Sequence, residues 1–240
     1  MTRYLFVLLF VLGFSNARAQ TITASELLDK AIAFHDPNDL WRSFDGKLFI
    51  TMAYPDGRER HSEVHIDIPK QYFEITAKTE DHTIKQTLDK GDCVLMLNGS
   101  TDISEEDIKT HRLSCERAKF MKDYYLYLYG LPMKLRDKGT NLDPLVQTKT
   151  FKGKEYLVLK VTYDKEVGED IWYFYFDPTN YAMEVYQFFH DENKNDGEYI
   201  LLGGLENVST IKMPKVRAWY YNKDDKYLGT DTLTKTATLD

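Results

Sequence analysis

From Phe44 nearly to its C-terminus the chain is written in short runs of alternating apolar and polar residues separated by turn residues, and that period of two confines it to antiparallel β structure. Residues 46–54 and 61–68 flank Pro55-Asp56-Gly57, whose Pro and Gly suit a tight turn, so they read as a hairpin. In the second run Val64, Ile66 and Ile68 point one way while His61, Glu63, His65 and Asp67 point the other, which predicts one core face and one wet face. Further strands are expected at 71–79, 82–90 and 92–97, and again at 145–151, 155–163, 170–177, 182–190, 198–202, 211–221 and 226–235. Asp177-Pro178-Thr179-Asn180, Asn195-Asp196-Gly197 and Asn222-Lys223-Asp224-Asp225 supply turns between them. Ile171-Trp172-Tyr173-Phe174-Tyr175-Phe176 does not alternate. Both its faces carry aromatics, as in a central strand with apolar material on each side.

Two segments change the period. Thr23 and Glu26 have the spacing of a capping box and Ile22 and Leu27 that of a hydrophobic staple, while Leu27, Leu28, Ala31 and Phe34 recur at helical spacing. This predicts an amphipathic helix to about Phe34, ended by Pro37, which disfavours helical backbone at Asp36. A second helix is expected over 104–129, with Glu105, Glu106 and Asp107 at its positive N-terminal end. Ile108, Cys115, Ala118, Met121, Tyr125 and Leu128 mark one side of it. Residues 124–129 are greasy nearly all round, so this end must be buried on more than one side or cover something apolar. Gly130 and Pro132 stop it.

The expected architecture is a mostly β (α+β) single domain over residues 20–240. It is a large curved antiparallel sheet or half-open β-barrel of about eleven strands, with an N-terminal helix and an inserted lid helix over its concave face. Helices alone would not fill the mouth of so wide a sheet, so a lined cavity is expected. Phe34, Trp41, Met121, Tyr125, Leu128, Trp172, Phe174 and Phe176 are the candidate lining. Phe, Trp and Tyr make up 14% of the chain, with Tyr dominant, and a hydroxyl that must be paired or wet suits a cavity wall or an exposed binding face. The preference of strands for aromatics accounts for the same composition equally well.

Arg3, the apolar run from Tyr4 to Phe14 and Ala17-Arg18-Ala19 follow the order of a cleavable secretion signal, so residues 1–19 are expected to be removed after Ala19 and the mature chain to be periplasmic or secreted. The run is 11 residues long, against the roughly 20 that a membrane-spanning helix needs. Loss of Arg3 and Arg18 takes the formal charge from −7 to −9, which argues against nucleic acid as a partner. Cys93 and Cys115 are the two cysteines, and in an oxidising compartment they are expected to pair. The alternative is a reactive thiol with His111 or Arg112 beside it.

Several segments resemble a family of exported Gram-negative bacterial proteins of unknown function. They are Ala31-Ile32-Ala33-Phe34-His35-Asp36-Pro37, Asn98-Gly99-Ser100, His111-Arg112-Leu113-Ser114-Cys115-Glu116-Arg117-Ala118-Lys119, Tyr129-Gly130-Leu131-Pro132-Met133-Lys134, Phe151-Lys152-Gly153-Lys154-Glu155-Tyr156 and Trp219-Tyr220-Tyr221-Asn222. That family brings no established activity. More remotely, the order of helix, long antiparallel sheet and inserted helix resembles the periplasmic lipoprotein carrier LolA and its lipid-binding relatives. The resemblance implies a half-open barrel, lidded by helices, that holds acyl chains.

Three constellations compete for chemistry. His61, Glu63, His65 and Asp67 put four candidate metal ligands on one strand face, although a plain solvent face produces the same pattern. His35-Asp36 and His190-Asp191 offer two imidazoles and two carboxylates for an acid–base set of an envelope enzyme, although a helix end and a turn favour the same residues. Trp41, Trp172 and Trp219 offer platforms for a glycan-binding module. No nucleophile elbow, phosphate-binding Gly loop or His-Glu-x-x-His run is present. The leading expectation is a non-enzymatic, monomeric periplasmic protein without cofactor or metal. It would bind an apolar small molecule or lipid between sheet and helices, with transient membrane or envelope-protein contact.

Overall fold

Pro55-Asp56-Gly57 turns the chain because Gly57 takes a φ of 84° and the Asp56 carboxylate accepts from the Arg58 amide at 3.1 Å. That turn pairs β1 (Asp45–Ala53) with β2 (Glu59–Asp67), placing Met52 opposite Arg60. The computed structural model describes residues 22–238, so the expected secretion signal lies outside the described residues. The meander continues through β3 (Tyr72–Lys78), β4 (Thr83–Asp89) and β5 (Asp92–Leu97). After the helical insertion come β6 (Thr140–Leu142), β7 (Gln147–Phe151), β8 (Lys154–Tyr163), β9 (Ile171–Phe176), β10 (Met183–Phe189), β11 (Glu198–Val208), β12 (Ile211–Tyr221) and β13 (Tyr227–Thr238).

All thirteen strands form one antiparallel sheet in the order β5-β4-β3-β2-β1-β13-β12-β11-β10-β9-β8-β6, with β7 also on β8. The pairing of β1 with β13 welds the two halves of the meander, and the sheet ends at β5 on one side and at β6 and β7 on the other. A sheet this wide curls under its own strand twist, giving a concave face for the helices. The sheet departs from the expected runs in two places, one adding a strand and one lengthening a strand. Three-residue β6 is too short to display a period, and β11 runs on through Gly203 and Gly204 because β12 continues to pair with it as far as Val208.

The N-terminal helix is α1 (Ala24–His35), with both arms of the capping box formed between Thr23 and Glu26. Its buried Leu27, Leu28 and Ala31 face the sheet, and it packs on β12. Each such buried Leu contributes about 1.5–3 kcal/mol. The single helix expected over 104–129 is instead two helices, α2 (Glu105–Thr110) and α3 (Cys115–Gly130). Arg112 adopts a left-handed φ of 52°, Leu113 is buried at the corner, and Ser114 starts the new helix by accepting from the Arg117 amide at 3.0 Å. The break turns Ile108 outward to 41% exposure, so it does not share the core face of α3. Asp67 is also buried rather than wet, because it closes the following turn on the Lys70 amide and ammonium.

The main core lies between α1, α3 and the concave face, from Leu48, Ile50, Val64 and Ile66 to Phe174 and Phe176. A smaller cluster of Tyr156, Val158, Tyr173, Tyr175 and Val185 covers the other face of β8–β10. The doubly aromatic β9 therefore has apolar material on both sides, as its sequence predicts.

Candidate functional site

The greasy second half of α3 sorts its residues by helical spacing. Met121, Tyr125, Leu128 and Tyr129 go under the helix into the core, whereas Phe120, Leu126 and Tyr127 come out along its flank. Beside that flank, between α3, β9 and the 163–170 loop, lies a cleft of about 820 Å³. Its apolar wall is made by Phe120, Tyr124, Leu126, Tyr127, Tyr163 and Trp172. Tyr127 and Trp172 meet edge to face at 5.4 Å, and the hydroxyls of Tyr127 and Tyr163 are 2.5 Å apart. Burial holds both phenols well above their ordinary pKa, so they line the cleft as neutral groups. Phe120 and Val167 stand at the lip, 54% and 58% exposed, and Lys122, Asp123, Lys138 and Glu166 make the rim polar. Such a hollow accepts an apolar body and leaves a polar end in water.

The eight residues expected to line a cavity do not meet in one place. Trp172 is in the cleft, and Met121 lines a different, smaller hollow next to β3 and β4. Trp41, Tyr125, Leu128, Phe174 and Phe176 are packed in the core under the helices. Phe34 is half-buried at the end of α1, with the Lys212 ammonium 4.3 Å above its ring. Most of the eight thus belong to the core, and the cleft lies along the flank of α3. Sequence reasoning passed over Phe120, Leu126, Tyr163 and Val167; the outward residues of the greasy helix were the available signal for the first two.

Cys93 and Cys115 form a disulfide with a Cα–Cα distance of 5.9 Å, tying the first turn of α3 to edge strand β5. Neither thiol is free, which removes the nucleophile alternative.

The proposed acid–base pair is separated. His35 is fully buried; its Nδ1 donates to the Lys212 carbonyl at 2.6 Å and its Nε2 accepts from the Met183 amide at 2.9 Å. Burial pushes its pKa down to about 4, so the ring is a neutral strut between β12 and β10. His190 lies at the other end of β10, exposed, with Nδ1 2.6 Å from Asp170, which raises its pKa. Seven residues of extended chain at about 3.3 Å each put the two rings about 20 Å apart. Asp36 accepts from the Leu40 and Trp41 amides, a turn role.

On β2, His61 contacts Thr51 and Glu59, Glu63 contacts Lys47, His65 contacts Asp45 and Asp67 contacts Lys70, so the four candidate metal ligands are directed to separate partners. Trp41 is buried, stacked on Phe44, and Trp219 donates its indole N–H to Asp231 at 3.3 Å.

A polar seam runs beneath α3 that the alternating pattern hid. Strand register puts Arg60 (β2), Met52 (β1), Asp231 (β13) and Arg217 (β12) in one row across the sheet. Arg217 is 1% exposed; it donates to the Pro214 carbonyl at 2.9 Å and to the Leu128 carbonyl of α3 at 3.3 Å, with its guanidinium 3.9 Å from the Tyr129 ring centre. Burial raises the Asp231 carboxyl pKa against the pull of Arg60 and Arg217. A charged residue at an inward strand position was the signal for this seam.

A family model described as a family of unknown function (DUF6503) matches residues 2–236. No curated protein matches the chain. Among solved structures it is similar to a LolA superfamily protein from Nitrosomonas europaea, at 13% identity and a TM-score of 0.48, covering 91% of this chain and 94% of that one. It is also similar to a domain named for outer membrane lipoprotein sorting from Vibrio parahaemolyticus, at 10% identity and a TM-score of 0.47, over 90% of this chain and 93% of that one. A DUF1329 family protein from Desulfovibrio piger is similar at 8% identity and a TM-score of 0.47, over 90% of this chain and 92% of that one.

Proposed function

For a chain that belongs to DUF6503, a family of unknown function, we propose from its own geometry a role in sheltering an apolar, lipid-like or acyl ligand. The ligand lies in the cleft beside α3, and the protein acts on it by binding rather than by catalysis. The observation that carries this reading is the aromatic wall of Tyr127, Tyr163 and Trp172 facing open space of about 820 Å³, within the range of small-molecule pockets. The half-exposed Phe120 and Val167 at its mouth are apolar surface that a bound chain would remove from water.

A periplasmic or secreted location is supported by the disulfide, which persists in oxidising compartments, and by the secretion-signal order of residues 1–19. A binding role fits the separation of His35 from His190, which leaves no shared acid–base site at the rim proposed for them.

Native mass spectrometry of protein purified from its source, followed by lipid extraction, tests the reading together with titration of a fluorescent acyl probe. Co-purifying lipid and saturable probe uptake are expected. Protein that carries no lipid and takes up no probe would overturn it.

A further inference from the structure

A second hollow of about 150 Å³ opens between β3, β4 and the α2–α3 corner, and its Arg117 guanidinium lies 4.7 Å from the ring centre of Phe120 in the cleft wall. The two hollows share no lining residue. Two guanidiniums and two imidazoles converge on the smaller one, with the Gln86 amide beside them: Arg60 from β2, His82 from the start of the β4 hairpin, His111 from the end of α2 and Arg117 from the first turn of α3. The rings of His82 and His111 have centroids 4.3 Å apart. No Asp or Glu is among the lining residues.

This is an unusual arrangement on a chain whose formal charge is −7. Arg42, Arg58 and Arg136 are in ion pairs with carboxylates, whereas Arg60 and Arg117 have none among the described residues. Asp231 is the acid that acts on Arg60, from two strands away across Met52. Moreover, Nε of Arg60 is buried without a hydrogen-bond partner, and leaving such a donor unmet is costly enough that native structures rarely do so. A cation is repelled from this hollow, and an oxyanion is drawn to the two guanidinium charges that line it.

The floor is apolar. Ile75, Ile84 and Met121 close the hollow beneath the basic groups. A bare anion would leave that floor uncovered, while an anion carrying a short hydrocarbon stem satisfies both surfaces. We propose that this hollow is a binding site for the carboxylate or phosphate head of an anionic amphiphile, held by Arg60 and Arg117 with the first carbons of its tail against Ile75, Ile84 and Met121. The site goes beyond the cleft reading and uses none of its residues.

Calorimetric titration of the full mature chain, disulfide formed, with decanoate, decanol and acetate tests the assignment. Decanoate is expected to bind at least tenfold more tightly than either decanol or acetate. Arg117→Gln, at an exposed position on α3, is expected to abolish the preference for the acid over the alcohol; Arg60→Gln is the second variant, retained only if its melting curve shows a folded protein. Val167→Asp, which weakens the other cleft, is expected to leave the Arg117-dependent binding of decanoate in place, so failure of the cleft reading is distinguishable from failure here. Equal binding of decanoate and decanol, or a preference that survives Arg117→Gln, would overturn the site. Acetate binding as tightly as decanoate would overturn its assignment to an amphiphile and leave a free anion as its ligand.

Discussion

The Met183 amide donates to Nε2 of His35 at 2.9 Å, so the imidazole must present a lone pair to β10 and keep its proton on Nδ1 for the Lys212 carbonyl. Protonation would set an N–H against an N–H inside the core. The folded pKa of about 4 lies below the ordinary 6.5, so the unfolded chain takes up a proton between these values that the folded chain refuses. Stability is therefore fully present above about pH 6.5 and falls as the pH drops toward 4. The loss amounts to about 3 kcal/mol at roughly 1.4 kcal/mol per unit. Urea melts at pH 7.5 and pH 5 should show this slope, and His35→Leu should weaken the protein by about 2–4 kcal/mol at pH 7.5 while flattening the slope. An unchanged slope in the variant would remove His35 as its source.

Reduction of Cys93–Cys115 reopens a loop with a sequence separation of 22. On the chain-entropy model that costs about 3 kcal/mol. The double variant C93A/C115A should melt at correspondingly lower denaturant, with hydrogen exchange rising first in β5 and the first turns of α3, the two elements that the bridge joins. Uniform loss of protection across the sheet would contradict a local staple.

Gly130 ends α3 against the face of Trp41. A Cβ added there falls inside the indole and 2.6 Å from the Lys134 side chain, in a part of the core where Trp41 is already stacked on Phe44. Gly130→Ala should destabilise by about 1–3 kcal/mol, the range of overpacked cores. Substitution of Trp41 by Leu in the same chain should recover part of that loss; the double-mutant cycle of melting free energies measures the coupling.

Val167 is exposed at the lip of the cleft and far from the core. Val167→Asp should leave the melting temperature within about 2 °C, as surface changes usually cost under about 0.5 kcal/mol, and should weaken uptake of the acyl probe by at least tenfold. A drop in both quantities would mean that the loop supports the fold rather than the ligand.

What the sequence by itself determined is the local layer. Thr23 and Glu26 make the cap of α1, Pro55-Asp56-Gly57 makes its turn, and the period-two runs become strands, because each depends on neighbours within a few residues. The disulfide was legible for a different reason: with two cysteines there is one pairing to form. Tertiary structure alone decided which side of the greasy helix is closed and which is open. Tyr125 and Leu128 vanish into the core while Phe120 and Tyr127 face a cleft, and nothing in their hydrophobicity separates the two pairs. It also decided that Arg60, Asp231 and Arg217 share a row, since register joins β2 to β12 through β1 and β13 across more than 150 residues of chain. Likewise, Arg60, His82, His111 and Arg117 become one basic hollow only when the α2–α3 corner is folded onto β3 and β4. Short-range chemistry writes the elements, but a binding surface is assembled from residues distant in the chain, whose meeting depends on how the elements pack.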